Sequence, residues 1–314
     1  MARIAALDLG TNTFRLLVAE VSPGEKPRAI KKEQIITRLG GDFDKKTGRI
    51  SQEALKRAEA AFVLFAGTLR ENPADSVIAR ATEIVRKASN GNEFLDMAGR
   101  LLGAKVKTLP PRDEAGLALK GILAYNPPVD GDFITLDIGG GSTEIAFVGS
   151  GGLHGWISIP LGVVDLSERV FADKDPPSAE ARKRCEREAR QILEEAREKL
   201  GAVEKVKTVI GTGGTATSLA VIDLGLSEYD ENAVQNYCLS LEKIVELERR
   251  LVSLTFEERA GIFPLGGGRE DVIIPGAIIT RATLETFKVE KMLVSDAGLL
   301  EGLAMAGAAE VERR

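Results

Sequence analysis

Two short segments bring carboxylates, glycines and hydroxyls together at a spacing suited to phosphate chemistry. One is Asp137-Ile138-Gly139-Gly140-Gly141-Ser142-Thr143-Glu144, and the other is Asp8-Leu9-Gly10-Thr11-Asn12-Thr13. Glycine in a strand-to-strand turn leaves successive backbone N–H groups uncovered, because no Cβ stands in front of them. A concave run of such amides binds anionic oxygens. Thr11, Asn12, Thr13, Ser142 and Thr143 add side-chain donors. An aspartate at the end of each first strand is suited to a hydrated Mg²⁺ whose shell is completed by phosphate oxygens. A carboxylate beside a polyanionic phosphate calls for such a cation between them.

The two segments are related to each other. With Asp8 placed over Asp137, Leu7-Asp8-Leu9-Gly10 lies over Leu136-Asp137-Ile138-Gly139, Thr13 over Ser142 and Leu16 over Ile145. Each segment opens one half of the chain. The expectation is two similar domains facing one another, with one loop on each side of a bound phosphate. Neither segment is a dinucleotide fingerprint, which needs a helix after the turn where Ile145-Ala146-Phe147-Val148 reads as strand. Neither is a Walker A loop, since no Gly-Lys-Ser/Thr follows.

Composition narrows the chemistry further. The 314 residues contain one histidine, His154, and two cysteines, Cys185 and Cys238, far apart. A multi-histidine metal centre and an HExxH motif are excluded, and a Ser-His-Asp triad would depend on His154 alone. The cysteines support neither a zinc site nor a disulfide framework, so a reducing, cytoplasmic setting is expected. The net charge of −5 gives no global field for nucleic acid or anionic lipid. No apolar run is long enough to suggest a membrane span.

The elements that must position these residues follow from periodicity. Residues 3–20 read as strand, tight turn and strand. Residues 51–71 read as a helix with Ser51 as N-cap, and Ala54, Leu55, Ala58, Ala61, Phe62 and Phe65 at helical spacing. A strand is expected at 77–79, a helix from Thr82, a helix over 92–102, a strand at Val106 and a helix over 112–125. Asn126-Pro127-Pro128-Val129-Asp130-Gly131 marks the domain boundary. Beyond it come strands at 133–137 and 144–148, a loop at 173–178, a charged helix over 179–200 and a strand at 208–210. A glycine turn at Gly211–Thr215 precedes a helix over 216–224, followed by helices over 240–253 and 275–287. A strand at 292–295 leads to a final helix from Ala297. The fold class is α/β, with hairpins inside the sheets. Domain I spans 1–126 with the helix 297–314 packing back on it, and domain II spans 127–296.

These residues resemble the exopolyphosphatase / guanosine pentaphosphate phosphohydrolase (Ppx/GppA) family. The resemblance covers nearly the whole chain. It includes Asp8 to Leu17, Ala79-Arg80-Ala81-Thr82, Arg86-Lys87-Ala88-Ser89-Asn90, Asp113-Glu114-Ala115 and Asp137 to Glu144. Pro160-Leu161-Gly162, Gly211 to Thr215, Arg269 to Ile273, Pro275-Gly276-Ala277 and Ser295 to Leu299 complete it. It implies two ribonuclease-H-like domains of the actin, sugar kinase and heat-shock-70 type around a central cleft, in a compact two-domain form. It also implies a homodimer, Mg²⁺ or another divalent cation, and inorganic polyphosphate as substrate.

By the same resemblance, Glu114 is the general base that activates water against the terminal phosphoanhydride. Asp137, Glu144 and Asp8 are the metal candidates. Gly10, Thr11, Asn12, Thr13, Arg15, Arg86, Gly139, Gly140, Gly141, Ser142, Thr143 and Arg269 are the phosphate-binding candidates, with Arg80 a weaker one. The chain departs from the family pattern at Asp113, Gly116 and Glu83; the last adds negative charge next to Arg86. A polyanion further predicts a basic groove, with Lys45, Lys46, Arg49, Lys87 and Arg269 as contributors. The alternative is hydrolysis of guanosine pentaphosphate to the tetraphosphate by the same machinery. A sugar kinase or ATPase and a non-catalytic sensor of guanosine tetraphosphate are the remaining readings.

Overall fold

Ile4-Ala5-Ala6-Leu7 is apolar on both faces, and such a strand is stable only where both faces of its sheet are covered. The computed structural model places it at the centre of a five-stranded sheet. The structure describes residues 1–41, 43–44, 46–126, 131–149, 151–171, 174–201, 206–266 and 268–313. The boundary expected at Pro127-Pro128, together with Lys45 and Asp173, lies outside the described residues.

The chain begins with β1 (Ala2–Leu9), β2 (Thr13–Val21), β3 (Arg28–Ile36), α1 (Gln52–Glu71), β4 (Ser76–Ala81), α2 (Glu83–Lys87), α3 (Gly91–Leu102), β5 (Val106–Thr108) and α4 (Pro111–Tyr125). The strand order is β3-β2-β1-β4-β5. β1 and β2 form an antiparallel hairpin, β2 pairs antiparallel with β3, and β4 and β5 run parallel to β1. One sheet face buries Phe14 against Phe62 of α1 and Phe94 of α3, ring centroids 5.3 and 6.0 Å away.

The chain continues through β6 (Phe133–Ile138), β7 (Thr143–Gly149), β8 (Gly152–Ile159), α5 (Val163–Val170), α6 (Ala179–Leu200), β9 (Thr208–Thr212), α7 (Gly213–Leu224), α8 (Glu231–Val234), β10 (Cys238–Ser240), α9 (Leu241–Ser253), α10 (Phe256–Ala260), α11 (Ile273–Phe287) and β11 (Lys291–Ser295). Its sheet, taken from β8, runs β8-β7-β6-β9-β11-β10. The first five strands repeat the order and directions of the first sheet, and β10 adds an antiparallel edge. The helix α12 (Leu299–Val311) then returns to the other face of the first sheet, where Leu300, Leu303 and Ala304 cover Ile4, Ala6 and Leu17. Two compact units result: residues 1–125 with 297–314, and residues 126–296.

Several elements differ from the sequence expectation. β3 and β8 carry too many exposed polar or glycine positions to show an apolar pattern, because each is an edge strand with one side unpaired. The glycine turn expected at Gly211–Thr215 is instead the end of β9 and the first turn of α7; Gly213, at φ +80°, makes the corner between them. α5, over Val163–Val170, also had no counterpart in the sequence reading. No helix among the described residues is long and apolar enough to cross a membrane.

Candidate active site

The same turn is built twice. Gly10 N–H donates to the Thr13 carbonyl at 3.1 Å between β1 and β2, and Gly139 N–H donates to the Ser142 carbonyl at 2.9 Å between β6 and β7. A Cβ on Gly10 would lie 2.9 Å from the Thr13 oxygen, and one on Gly139 would lie 3.0 Å from the Ser142 oxygen. Neither turn has room for a side chain at its first glycine, which is why both halves of the chain keep one there.

Each turn is buttressed by a segment that follows the next strand. In the first unit, Thr37 and Arg38 N–H groups donate to the Asn12 carbonyl and Gly40 N–H donates to the Thr11 carbonyl, at 2.8–3.0 Å. In the second, the opening N–H groups of α5 face the loop: Val163 donates to Gly139 O at 3.0 Å and Val164 to Gly140 O at 2.9 Å. With their carbonyls held from behind, the turns are fixed in one conformation, as an amide cradle requires. Thr143, expected to reach phosphate, is buried and its hydroxyl donates to the Leu161 carbonyl. That hydroxyl serves the buttress.

The two aspartates sit at the carboxyl ends of β1 and β6, each paired with a parallel strand, where α/β sheets commonly bind ligands. Asp137 on β6 stands opposite Glu144 on β7 and opposite Thr212 on β9. Ser142 and Ser158 hydroxyls both donate to Glu144 Oε1 at 2.7 Å, which fixes that carboxylate. The α7 backbone closes on Asp137, and a Cβ on Gly213 would lie 2.5 Å from Asp137 Oδ1. Asp8 has a different setting, between Arg15 of β2 and Arg80 of β4 in register. Among the described residues no group of three or more His, Cys, Asp or Glu side chains is clustered for a metal.

Glu114 lies in the first turn of α4, behind Pro110 and Pro111, and its N–H makes the opening helical bond to Pro110 O at 2.9 Å. Proline suits a first helical position and an acidic side chain suits the positive end of the helix. Arg86 of α2 donates through Nη1 to Glu114 Oε2 at 2.8 Å and also to the Leu109 carbonyl. This guanidinium therefore orients Glu114. The negative charge of Glu83 beside it is met by Lys87 at 2.5 Å. α4 is itself locked to α12: Cβ atoms on Gly121 or Gly302 would each come 1.9 Å from a backbone oxygen of the other helix's chain.

Arg269 is buried in the second unit and donates to Ser218 Oγ at 2.8 Å, beneath Gly214. Glu270 fixes the turn that presents it, accepting from the Gly268 and Arg269 N–H groups at 2.7 Å. Of the other residues named for a basic groove, Lys87 is paired with Glu83 and Arg49 with Glu93. Three cations of the first sheet, Arg15, Arg80 and Lys107, fall in one cross-strand row with Asp8 among them.

The sequence profile of the Ppx/GppA phosphatase family matches residues 17–309. The chain belongs to this family. It is 31% identical to exopolyphosphatase 2 of Mycobacterium tuberculosis over 98% of both chains. Among solved structures, a Ppx/GppA family member from Aquifex aeolicus matches at TM-score 0.81 with 31% identity over 98% of each chain. An exopolyphosphatase from Cytophaga hutchinsonii matches at TM-score 0.87 with 26% identity over 96% of each. Membership makes the protein a hydrolase, built on the two α/β halves described above.

Within this Ppx/GppA chain, sequence reasoning missed the first buttress, Thr37 to Gly40, and the orienting groups Ser158, Ser218 and Glu270. A signal for the buttress was present. Leu39-Gly40 repeats Leu161-Gly162 in the same order after the duplicated turns.

Proposed function

We propose that the protein is an exopolyphosphatase, releasing orthophosphate from the end of inorganic polyphosphate by attack of water on the terminal phosphoanhydride. The observation that carries this reading is the duplicated, buttressed amide turn with a carboxylate at the end of each first strand. A repeated phosphate cradle suits a substrate made of repeated phosphates. The resemblance to the Mycobacterium tuberculosis exopolyphosphatase supports the same substrate class.

The residues divide the work. Glu114 accepts a proton from the attacking water, and Arg86 holds its carboxylate in one orientation. Backbone N–H groups around Gly10 to Thr13 and Gly139 to Ser142 bind phosphate oxygens. Arg15 and Arg269 add guanidinium charge, matched in shape to phosphate. Asp137 and Glu144 are the residues that would hold a divalent cation. Their all-oxygen, two-carboxylate set fits Mg²⁺, which takes one or two protein carboxylates and completes its shell with water and phosphate. When bound, Mg²⁺ neutralises negative charge on the phosphate oxygens. Asp8, in register with Arg15 and Arg80, is the third metal candidate. Such a reaction depends on placement and charge neutralisation more than on covalent chemistry.

The test is orthophosphate release by the purified chain from polyphosphate and from guanosine pentaphosphate, each with and without Mg²⁺. Polyphosphate turnover that requires Mg²⁺ is the expected result. A large preference for the pentaphosphate reverses the substrate assignment.

A further inference from the structure

Two cations of the first sheet have no part in the reaction as described above. Arg15 of β2, Asp8 of β1, Arg80 of β4 and Lys107 of β5 are in register on neighbouring strands, so their side chains share one face. Ala6 and Ile78, two residues earlier, belong to the core under α12, whereas Leu7, Ala79 and Val106 belong to the core under α1 and α3. The row therefore lies on the α12 face, one residue short of the carboxyl ends of β1, β4 and β5. Strands about 4.8 Å apart set Asp8 and Lys107 roughly 10 Å from each other, with Lys107 exposed on the edge strand.

α4 brings Glu114 to the same end of that face. Leu109, just before the helix, is buried in the core under α12, and Leu117 and Ala118 of the helix pack against that core. Leu109 N–H donates to the carbonyl of Ala81, the residue after Arg80, at 2.9 Å. The first turn of α4 thus stands beside the end of β4. Arg80 is half-buried and gives Nη1 to the Ala79 carbonyl at 3.0 Å, which leaves most of its N–H donors uncommitted. Neither Arg80 nor Lys107 has an ion pair among the described residues.

We infer, on the reading that Glu114 activates the attacking water, that Arg80 and Lys107 form a site for the product orthophosphate, through which it leaves by the β5 edge while the shortened chain is still bound. In such a displacement the attacking and leaving oxygens stand on opposite sides of the phosphorus. Water held at Glu114 therefore puts the remaining phosphates on the far side. The bond from the water oxygen to phosphorus forms, the bridging bond breaks, and the shortened chain keeps the bridging oxygen. Glu114 takes the proton. The phosphoryl group moves toward Glu114 as this happens, and Arg80 and Lys107 stand on that side. A guanidinium fork and an exposed ammonium together match the charge of an orthophosphate dianion. A phosphate that departs this way need not wait for the chain to dissociate, so several can be released in one binding event.

Product inhibition tests this. Initial rates of labelled orthophosphate release from labelled polyphosphate are measured against added unlabelled orthophosphate, at constant free Mg²⁺ and ionic strength. Orthophosphate is expected to inhibit the wild type in a mixed pattern, because it binds while the chain is in place. R80A and K107A should each raise the inhibition constant for the substrate-bound enzyme at least ~10-fold, the worth of a hydrogen bond to a charged group, with circular dichroism unchanged. K56A removes an equal charge from α1, on the other face of the sheet, and should leave that constant within about twofold, since salt screens exposed charges at such a distance. Purely competitive inhibition of the wild type overturns the proposal. So does a constant that neither R80A nor K107A moves, or one that K56A moves equally. Guanosine pentaphosphate releases the same orthophosphate, so the measurement is made on whichever substrate is turned over. Failure of the polyphosphate assignment then shows in the substrate comparison, and failure of the exit site in the inhibition pattern.

Discussion

The Arg86 guanidinium holds the Glu114 carboxylate at 2.8 Å while also bonding the Leu109 carbonyl, two residues before α4 begins. One side chain thus fixes both the proposed base and the strand end that leads into its helix. Glu114→Gln keeps the size of the side chain and removes its basicity. We expect phosphate release to fall ~10²–10⁴-fold with the fold intact, read by steady-state kinetics beside circular dichroism. Arg86→Ala should cost roughly 10–100-fold, the worth of a hydrogen bond to a charged group, and Arg86→Lys should recover only part of it. Unchanged turnover in the glutamine variant would remove Glu114 from the mechanism.

The two turns should differ in their tolerance of a methyl group. A Cβ on Gly162 would lie 2.2 Å from the Gly140 carbonyl oxygen and 2.3 Å from Gly141 Cα, all backbone. A Cβ on Gly40 would lie 2.5 Å from Thr11 Cγ2, a side-chain methyl that can rotate away. Gly162→Ala is therefore expected to raise KM for polyphosphate at least ~10-fold and to lower stability by about 1–3 kcal/mol, the usual overpacking range. Gly40→Ala should be the milder of the pair. Equal effects on KM and melting temperature would contradict the difference in packing.

The crossing of α4 and α12 has no slack. A Cβ on Gly302 would sit 1.9 Å from the Leu117 carbonyl oxygen. Gly302→Ala should destabilise the first unit by about 1–3 kcal/mol, visible in thermal unfolding of the full chain. Because α4 carries Glu114, turnover should fall as well, through displacement of the base.

The two thiols should respond very differently to Ellman's reagent. Cys185 is buried in the second core, and burial pushes its thiol up to about 12, whereas Cys238 is exposed. The thiolate is the reacting form, so at pH 8 the native chain should titrate one thiol rapidly and the second only after denaturation. Rapid reaction of both in the native state would show that α6 is not packed as described.

How much of this was legible in advance depends on the range of the interaction involved. The two glycine turns, the α/β class and the family could be read from the sequence, because glycines and hydroxyls a few residues apart make a turn whose geometry is local. Ser51 as the cap of α1 belongs here too, since its hydroxyl accepts from Ala54 three residues on. Sheet order was a different matter. β3 and β8 pair on one side only, so their residues carry no buried alternation to reveal them. The partners of polar side chains that pair over long stretches of chain were decided by tertiary packing. Thr143 turned to Leu161, Arg86 to Glu114 and Arg269 to Ser218, because a hydrogen bond depends on what lies within about 3 Å in space, whatever the separation along the chain.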